Sequence, residues 1–296
     1  MKGSPFTHLC RQLAVIRNAG RADLHTHTTF SDGTHSPTDL VERAIRAGLK
    51  AVAVTDHDTT AGVRPVSEAA AGRIEVIAGV EITAEFRGRE LHLLGYFIQE
   101  DGALAEVLQE LRASRRTRLL EMAKRLKPLG VSIESEIEAI PDQISLGRRH
   151  LARLLIAHGH ARSLHDAFTR WLSRPELAEV PKRRLPVADA IDLVRGAAGV
   201  TSWAHPPLDT DESMLVEQRS LGLQAVECVY PWPTGTHGKR LRALTEYLGL
   251  AVTGGSDSHD ASPPTRAVGA RTVTLAEVDR IRLLAASRIE TALAGP

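Results

Sequence analysis

The chain has 296 residues, and 43% of them are hydrophobic, which is enough for a large core and argues against a fibrous or disordered protein. Its 37 basic and 36 acidic residues give a formal charge of +1, so the overall charge does not indicate a polyanionic partner such as duplex DNA. Two cysteines, Cys10 and Cys228, are too few for a disulfide framework. No apolar stretch approaches the roughly 20 residues of a membrane span, and the N-terminal segment has too short an apolar run for a signal peptide. We therefore expect a cytoplasmic protein without a membrane segment.

Short apolar runs along the chain predict buried strands, and most runs are continuous, as expected for parallel strands that are covered on both faces. After the first run, Ser36 and Pro37 predict the start of a helix that a glycine ends, so the chain begins with a β-α-β unit. From Asp101 to about Leu185 the pattern becomes helical, which predicts an insertion. The seven predicted strands are Ala22–His25, Ala51–Thr55, Ile74–Ile82, Leu91–Phe97, Val200–Ala204, Ala225–Tyr230 and Ala251–Gly254.

Nearly every predicted strand carries a histidine or an acid at or near its end, where a buried strand would otherwise avoid polar groups. In an α/β barrel the carboxyl ends of the strands form the active site, so these side chains should converge. Imidazole and carboxylate ligands suit divalent ions such as Zn²⁺, Mn²⁺ or Fe²⁺, and the set is large enough for two or three of them. Nine candidate ligands result: His25, His27, Asp32, His57, Glu81, His92, His205, Asp257 and His259.

Each candidate also has a simpler interpretation, since a single buried histidine is usually a hydrogen-bonded core residue. His92, in the middle of its run, is the most open to this objection. This objection does not account for the whole set, because six strands would each have to bury a polar group by coincidence. Asp56 and Asp58 are better suited to orienting His57 or its neighbours than to ligation. His35 is interpreted as a surface or helix residue without a role.

These motifs, in this order and spacing, resemble the PHP (polymerase and histidinol phosphatase) domain. The resemblance extends from Arg21 to about Gly269 and implies an α/β fold, a distorted (β/α)7 barrel with a helical insertion domain. On that basis residues 21–100 and 186–280 form the barrel, and residues 101–185 form an insertion that binds substrate. The motifs are DLHTHTTFSDGT at 23–34, TDHDT at 55–59, GVEI at 79–82, HLLGY at 92–96, AHP at 204–206 and GSDSH at 255–259.

Within the family, the insertion and its segment 147–153 (GRRHLAR) are similar to the nucleoside 3′,5′-bisphosphate phosphatase branch, which overlaps with the bacterial enzymes called ribonuclease AM. Arg149 is a departure, because relatives often carry proline there. The resemblance implies hydrolysis of the 3′-phosphate of nucleoside 3′,5′-bisphosphates, with 5′-3′ exonuclease action on short 5′-phosphorylated RNA or DNA as an additional candidate activity. It also implies three ion sites: His25, His27, Glu81 and Asp257; Asp32, His57 and His259; and Glu81, His92 and His205.

A metal-bridging water held by Glu81 and Asp257 is the expected nucleophile. We expect two or three divalent ions, with Mn²⁺ preferred and Fe²⁺ or Zn²⁺ as alternatives. The expected partner is a small nucleotide or a short single-stranded RNA, whose base could stack on Tyr96, Tyr230 or Trp232, and no obligatory protein partner is evident.

Basic residues in the insertion predict a second anion site, suited to the 5′-phosphate of a substrate. Three arginines lie on one predicted helix, and two further basic residues lie in the first turn of the next. The alternative is a solvated face in which these residues pair with acids on the same helices. The predicted substrate-binding residues are Arg115, Arg116, Arg118, Arg148 and His150.

Three other functions compete with this interpretation. An amidohydrolase would bridge its metals with a carboxylated lysine, but no lysine lies in the seven runs except Lys50 at an entry. A phosphatase of another small phosphomonoester, such as histidinol phosphate, would share the barrel chemistry. A non-catalytic metal-stabilised scaffold or nucleic-acid-binding module would be expected to have lost ligands, and none is missing.

Overall fold

The computed structural model describes residues 20–99, 102–232 and 235–294, with side chains to Ser287. Cys10, the segment assessed as a signal peptide and Asp101, where the predicted insertion begins, lie outside the described residues. The strands are β1 (Arg21–Asp23), β2 (Ala51–Val54), β3 (Glu75–Phe86), β4 (Arg89–Tyr96), β5 (Leu185–Pro186), β6 (Val200–Ala204), β7 (Ala225–Val229), β8 (Ala251–Gly254) and β9 (Val273–Thr274).

None of the helices in this described part of the chain combines the length and apolar character that a bilayer crossing requires. The helices are α1 (Pro37–Arg46), α2 (Val63–Ala70), α3 (Gly102–Leu126), α4 (Glu134–Glu138), α5 (Arg148–Ala157), α6 (Leu164–Asp166), α7 (Pro175–Ala178), α8 (Val187–Gly196), α9 (Glu212–Ser220), α10 (Gly235–Tyr247) and α11 (Leu275–Ala294). A π-helical turn (Ala167–Leu172) continues α6, and 3₁₀ turns occur at Lys127–Leu129 and Pro264–Arg266.

The strands follow the order β8-β7-β6-β4-β3-β2-β1-β9 and curl into a nearly closed barrel, which confirms the predicted α/β barrel fold. The two ends of the predicted seven-strand set meet where the Leu24 N–H donates to the Gly254 carbonyl at 3.1 Å. All seven predicted strands are present. The sequence did not predict β5 and β9, because two residues are too few for a recognisable pattern.

Strand β4 corrects the expectation of parallel strands, since it runs antiparallel to both of its neighbours, β3 and β6. β3 ends four residues later than predicted and forms a hairpin with β4 through the two-residue turn Arg87–Gly88. Both turn residues have positive φ, 52° and 72°, as the tight hairpin turn requires. The N-terminal half of β4 therefore lies at the end of the barrel where the parallel strands finish.

From Leu119 to Val180 the helical residues between β4 and β5 have an apolar cluster of their own, whereas Leu104, Leu108 and Leu111 in the first half of α3 pack in a cluster of the barrel. In the segment's own cluster, Leu119, Met122 and Leu126 of α3 pack against Leu151 and Leu155 of α5. The segment also contacts the barrel directly, because the Ser145 N–H donates to the Phe30 carbonyl at 2.9 Å. This contact holds the helices next to the loop that follows β1.

Candidate metal centre

The nine predicted ligands converge at the carboxyl end of the barrel. The structure brings ring nitrogens and carboxylate oxygens of eight of them into three groups, and His205 adjoins these groups with its Nε2 3.0 Å from Glu81 Oε1. Within each group the possible ligand atoms lie within 4.8 Å of one another. His92 belongs here because β4 is antiparallel, which places it opposite Thr83 of β3 and Ala204 of β6. The groups are His25, His27, Glu81 and Asp257; His27, Asp32, His57 and His259; and His57, Glu81 and His92.

Glu81 is the central carboxylate of the cluster. Its fully buried side chain lies in the middle of β3, not at a strand end, and faces the end of the shorter neighbouring strand β2. One carboxylate oxygen, Oε1, lies 2.7 Å from His92 Nδ1 and 3.0 Å from His205 Nε2. The other, Oε2, lies 3.0 to 3.3 Å from ring nitrogens of His25, His27 and His57. This carboxylate can contribute to more than one ion site.

The donor set fits divalent cations because several buried ligand atoms have no hydrogen-bond partner among the described residues. Leaving such atoms unsatisfied is costly, whereas a cation coordinated between them would satisfy them together. Imidazole nitrogens with carboxylate oxygens are also the ligand chemistry of hydrolytic metal sites. The unsatisfied atoms are His25 Nε2, His27 Nε2, Asp32 Oδ1, His57 Nδ1, Glu81 Oε2 and His92 Nε2.

The carboxylates of the cluster are held in their charged form. Burial alone would raise the pKa of Asp32, but the neighbouring His259 and His57 hold it well below its usual value. Burial likewise opposes the charge of Asp257, whereas His259, His25 and His27 lower its pKa well below the ordinary range. Ionised carboxylates inside a buried site supply the negative charge that divalent cations require.

The backbone is strained at this site. Seven non-glycine residues of the described chain have positive φ, and three of them are Asp58, His205 and Asp257, at 47°, 31° and 47°. Non-glycine residues avoid this region, and such strain persists only where surrounding contacts enforce it. Two of the three are predicted ligands, so the loops after β6 and β8 are held in unusual conformations where they enter the cluster.

Two buried acids support the ligands but were not predicted. Glu227 of β7 accepts from His25 Nδ1 at 3.1 Å, which orients that imidazole, and from the His205 backbone N–H at 2.6 Å, which holds the backbone at His205. Asp23 of β1 accepts from the Ser256 hydroxyl and backbone N–H and so holds the loop that carries Asp257. A signal was available for Glu227, since it interrupts the otherwise apolar strand β7.

Asp56 and Asp58 do not join the three groups, in agreement with the expectation that they orient other residues. Asp56 accepts from the Thr28 N–H and hydroxyl and from the Ser31 hydroxyl, and so shapes the loop after β1. Asp58 accepts from Thr83 and from Arg115 Nε at 2.5 Å. The Arg115 guanidinium, predicted to bind substrate, is therefore also a partner of Asp58, and it donates further to Thr83 Oγ1 and the Leu146 carbonyl.

A cavity of about 200 Å³ separates the metal cluster from the helical segment. Asp32, His57, His92 and His259 line one side of it. Basic residues of the helical segment line the other side of the cavity: Arg115, Arg118, Arg148, Arg149, Lys182 and Arg183.

The structure does not bring two of the predicted substrate-binding residues to this cavity. Arg116 points elsewhere and donates to the carbonyls of Ile137, Ile140 and Pro141, which closes the end of α4. His150 Nδ1 accepts from the Gly147 N–H at 3.1 Å and so caps the start of α5. Arg149, the departure noted in the sequence, forms an ion pair with Asp260 just beyond His259.

Three further predictions, which concern Tyr96, Tyr230 and His35, are wrong because all three side chains are buried. Tyr96 is fully buried and donates to the Leu24 carbonyl, and Tyr230 is buried and donates to the Pro206 carbonyl, so neither can stack on a base. Trp232 is 55% exposed. His35 is buried, not at the surface, and lies 3.1 Å from Ser258 Oγ. It supports the loop between Asp257 and His259.

A nearly closed barrel with a buried cluster of imidazoles and carboxylates at the carboxyl ends of its strands, beside a basic cavity, defines a metal-dependent hydrolase. Comparisons with known proteins agree. The PHP domain family matches residues 23–141. The 5′-3′ exoribonuclease Rnm of Escherichia coli (strain K12) is 30% identical over 254 residues, which cover 81% of this chain and 86% of that protein.

The 3′,5′-nucleoside bisphosphate phosphatase of Chromobacterium violaceum is 27% identical over 260 residues, covering 83% of this chain and 90% of the relative. A solved structure from Bifidobacterium adolescentis, assigned as a metal-dependent phosphoesterase, superposes on this chain with a TM-score of 0.81 and is 30% identical in sequence. The superposition covers 88% of this chain and 94% of the Bifidobacterium chain. The chain belongs to the PHP family and is a hydrolase of the metal-dependent phosphoesterase class.

Proposed function

We propose that the protein hydrolyses the 3′-phosphate of nucleoside 3′,5′-bisphosphates to give a nucleoside 5′-monophosphate and phosphate. The observation that carries this proposal is the cavity, which has metal-ligand chemistry on one side and, on the other, basic residues that include Arg118 and Arg148. A substrate with two phosphates can place one at each side. The name of the Chromobacterium violaceum relative agrees with this assignment.

Arg118 and Arg148 are the residues best placed to bind the second phosphate, the 5′-phosphate. Among the described residues, neither forms an ion pair with a carboxylate. Burial lowers the pKa of Arg118, and the nearby charge of Arg148 lowers it further, so the two guanidinium groups repel each other across the cavity. An anion bound between them would relieve this repulsion and accept charge-assisted hydrogen bonds. Lys182 lines the same side.

We further propose that the three ligand groups hold two or three divalent ions, with Mn²⁺ preferred over Fe²⁺ or Zn²⁺. When bound, such ions activate water for attack on phosphorus and neutralise the phosphate oxygens. Glu81 and Asp257 are central to holding them, since each lies within reach of several imidazoles. A cytoplasmic location, where nucleotides and RNA fragments occur, is part of the proposal.

A second candidate activity is removal of the 5′-terminal nucleotide from a short 5′-phosphorylated RNA or DNA. The name of the Escherichia coli relative favours it. The chemistry is the same, because in both substrates the bond between phosphorus and the 3′-oxygen of the 5′-phosphorylated nucleotide is broken. Only the group on the far side of the phosphate differs, a hydrogen in one case and a further nucleotide in the other.

The experiment compares phosphate or nucleotide release from adenosine 3′,5′-bisphosphate, AMP, histidinol phosphate and a short 5′-phosphorylated RNA, using enzyme purified with Mn²⁺. We expect turnover of the bisphosphate and the RNA, and none with Asp257→Ala. Arg148→Ala should raise KM for the bisphosphate roughly tenfold or more, as loss of a charge-assisted hydrogen bond predicts. Arg162→Ala, an exposed arginine of the same helical segment, is the matched control. Preference for histidinol phosphate or AMP would refute the two-phosphate arrangement.

A further inference from the structure

Trp232 is an exposed aromatic residue at the edge of the metal centre. It follows β7 in the loop that also carries the buried Tyr230, and 55% of its surface is exposed. Its ring centroid lies 5.7 Å from that of the candidate ligand His205, with the two rings nearly perpendicular. Large aromatic side chains are normally buried for most of their area, so an indole left open beside a hydrolytic site suggests contact with a ligand.

Arg266 packs on this indole, with its guanidinium carbon 4.0 Å from the ring centroid. The same guanidinium lies 3.4 Å from the Asp257 carboxylate, through Nη2 and Oδ2. Arg266 therefore connects the tryptophan to a candidate metal ligand and holds the ring on one side. The cation covers one part of the indole while the rest remains accessible, an arrangement that is typical of base-stacking sites in single-strand-binding proteins.

The pair lies away from the basic cavity. The described residues that line the cavity include four candidate ligands, Asp32, His57, His92 and His259, but neither Trp232 nor Arg266. Trp232 instead approaches the cluster through His205, and Arg266 approaches it through Asp257. The metal centre thus has two different neighbours, the basic cavity and an exposed aromatic side chain.

We propose that Trp232, supported by Arg266, stacks against the base of the second nucleotide of a 5′-phosphorylated oligonucleotide. This inference rests on the proposed function, in which the 5′-phosphate of the first nucleotide occupies the basic cavity. Water adds to the phosphorus between the two nucleotides as the bond to the first nucleotide's 3′-oxygen breaks. That oxygen takes a proton, and the phosphate stays on the second nucleotide as its new 5′-phosphate. Trp232 therefore binds the part of the substrate that a free bisphosphate lacks.

The test compares kcat/KM for two substrates, adenosine 3′,5′-bisphosphate and the 5′-phosphorylated dinucleotide pApA, together with a pApA analogue that is abasic at the second position. The variants are Trp232→Ala and the conservative Trp232→Phe. Base stacking on an aromatic side chain corresponds to roughly 5-fold to 150-fold in affinity. We expect Trp232→Ala to lower kcat/KM for pApA within that range and to leave the bisphosphate within about twofold, with Trp232→Phe close to wild type.

The abasic analogue identifies stacking as the cause. It should be a poor substrate for wild-type enzyme, by a similar factor, and Trp232→Ala should reduce its hydrolysis no further. The inference is overturned if the variant slows all three substrates equally, which would indicate a structural role, or if pApA hydrolysis is unchanged. Wild-type activity on the bisphosphate is read separately. If that activity is absent, the proposed function fails and this inference fails with it.

Discussion

Asp58 and Arg115 form a buried ion pair, with Nε 2.5 Å from Oδ2, that joins the loop after β2 to the first long helix of the helical segment. Burial opposes the charge on both side chains, yet Arg115 holds the pKa of Asp58 below its usual value and Asp58 raises the pKa of Arg115. Asp58 directly follows the candidate ligand His57. The position of that ligand and the position of the helical segment therefore depend on the same ion pair.

Arg115→Ala should lower the free energy of unfolding by about 3–5 kcal/mol, because it leaves the Asp58 carboxylate buried without its partner. Urea denaturation measures this change. Arg64→Ala is the control, since the side chain of Arg64 is 89% exposed and its loss should change stability by less than about 0.5 kcal/mol. Equal effects of the two substitutions would show that the buried pair contributes nothing particular to stability.

Removing metal should destabilise the protein. A cation that binds only the folded chain contributes about 2.7 kcal/mol at 100 times its dissociation constant. Dialysis against a chelator should therefore lower Tm by several degrees, and added Mn²⁺ should restore it. Elemental analysis should find two or three ions per chain in wild type and fewer in Glu81→Gln. An unchanged Tm together with fewer than one ion per chain would contradict the metal assignment.

Glu227→Gln tests whether this buried acid holds the candidate ligands His25 and His205 in place for metal binding. The substitution keeps the size of the side chain but removes the carboxylate that orients the His25 imidazole and holds the His205 backbone, and losses of about 10-fold to 100-fold in metal affinity or activity are expected for such partners. Competition with a chromogenic chelator measures the affinity. Glu212→Gln, on the exposed start of α9, should leave it unchanged. If Glu227→Gln binds metal like wild type, the hydrogen bond to His25 does not tune the site.

Binding of the 5′-phosphate should weaken in alkaline solution. Burial, followed by the charge of Arg115, lowers the pKa of Lys182 to about 8, so its ammonium group is charged below pH 8 and neutral above it. The second pKa of a phosphate monoester is about 6, so the ligand does not change charge in this range. The dissociation constant of AMP, measured by calorimetry, should rise by up to roughly tenfold between pH 7 and pH 9. Lys182→Arg, which stays charged, should bind AMP without this loss; the same pH dependence in that variant would assign the titration to another group.

The sequence was most informative where a polar residue interrupts an apolar run, because burying such a residue is costly and so indicates a function. This logic selected the nine candidate ligands but missed Glu227, since acids were sought at strand ends and this one lies within a strand. The direction of β4 was not predictable, because a continuous apolar run looks the same in a parallel and an antiparallel strand. The arginines of α3 show a further limit. Arg115, Arg116 and Arg118 are neighbours in sequence, yet only their tertiary contacts distinguish an ion-pair partner, a helix cap and a cavity residue.

The two-residue turn Arg87–Gly88 joins two strands whose register matters to the candidate metal centre. Surface hairpin loops usually tolerate insertions and deletions, but this turn sets the register that places His92 opposite Thr83. Because side chains alternate between the faces of a strand, a shift of one residue would turn His92 away from Glu81 and expose Leu91 or Leu93 to the ligands instead. A one-residue slip of this pairing should therefore be as damaging to the site as replacement of His92 itself.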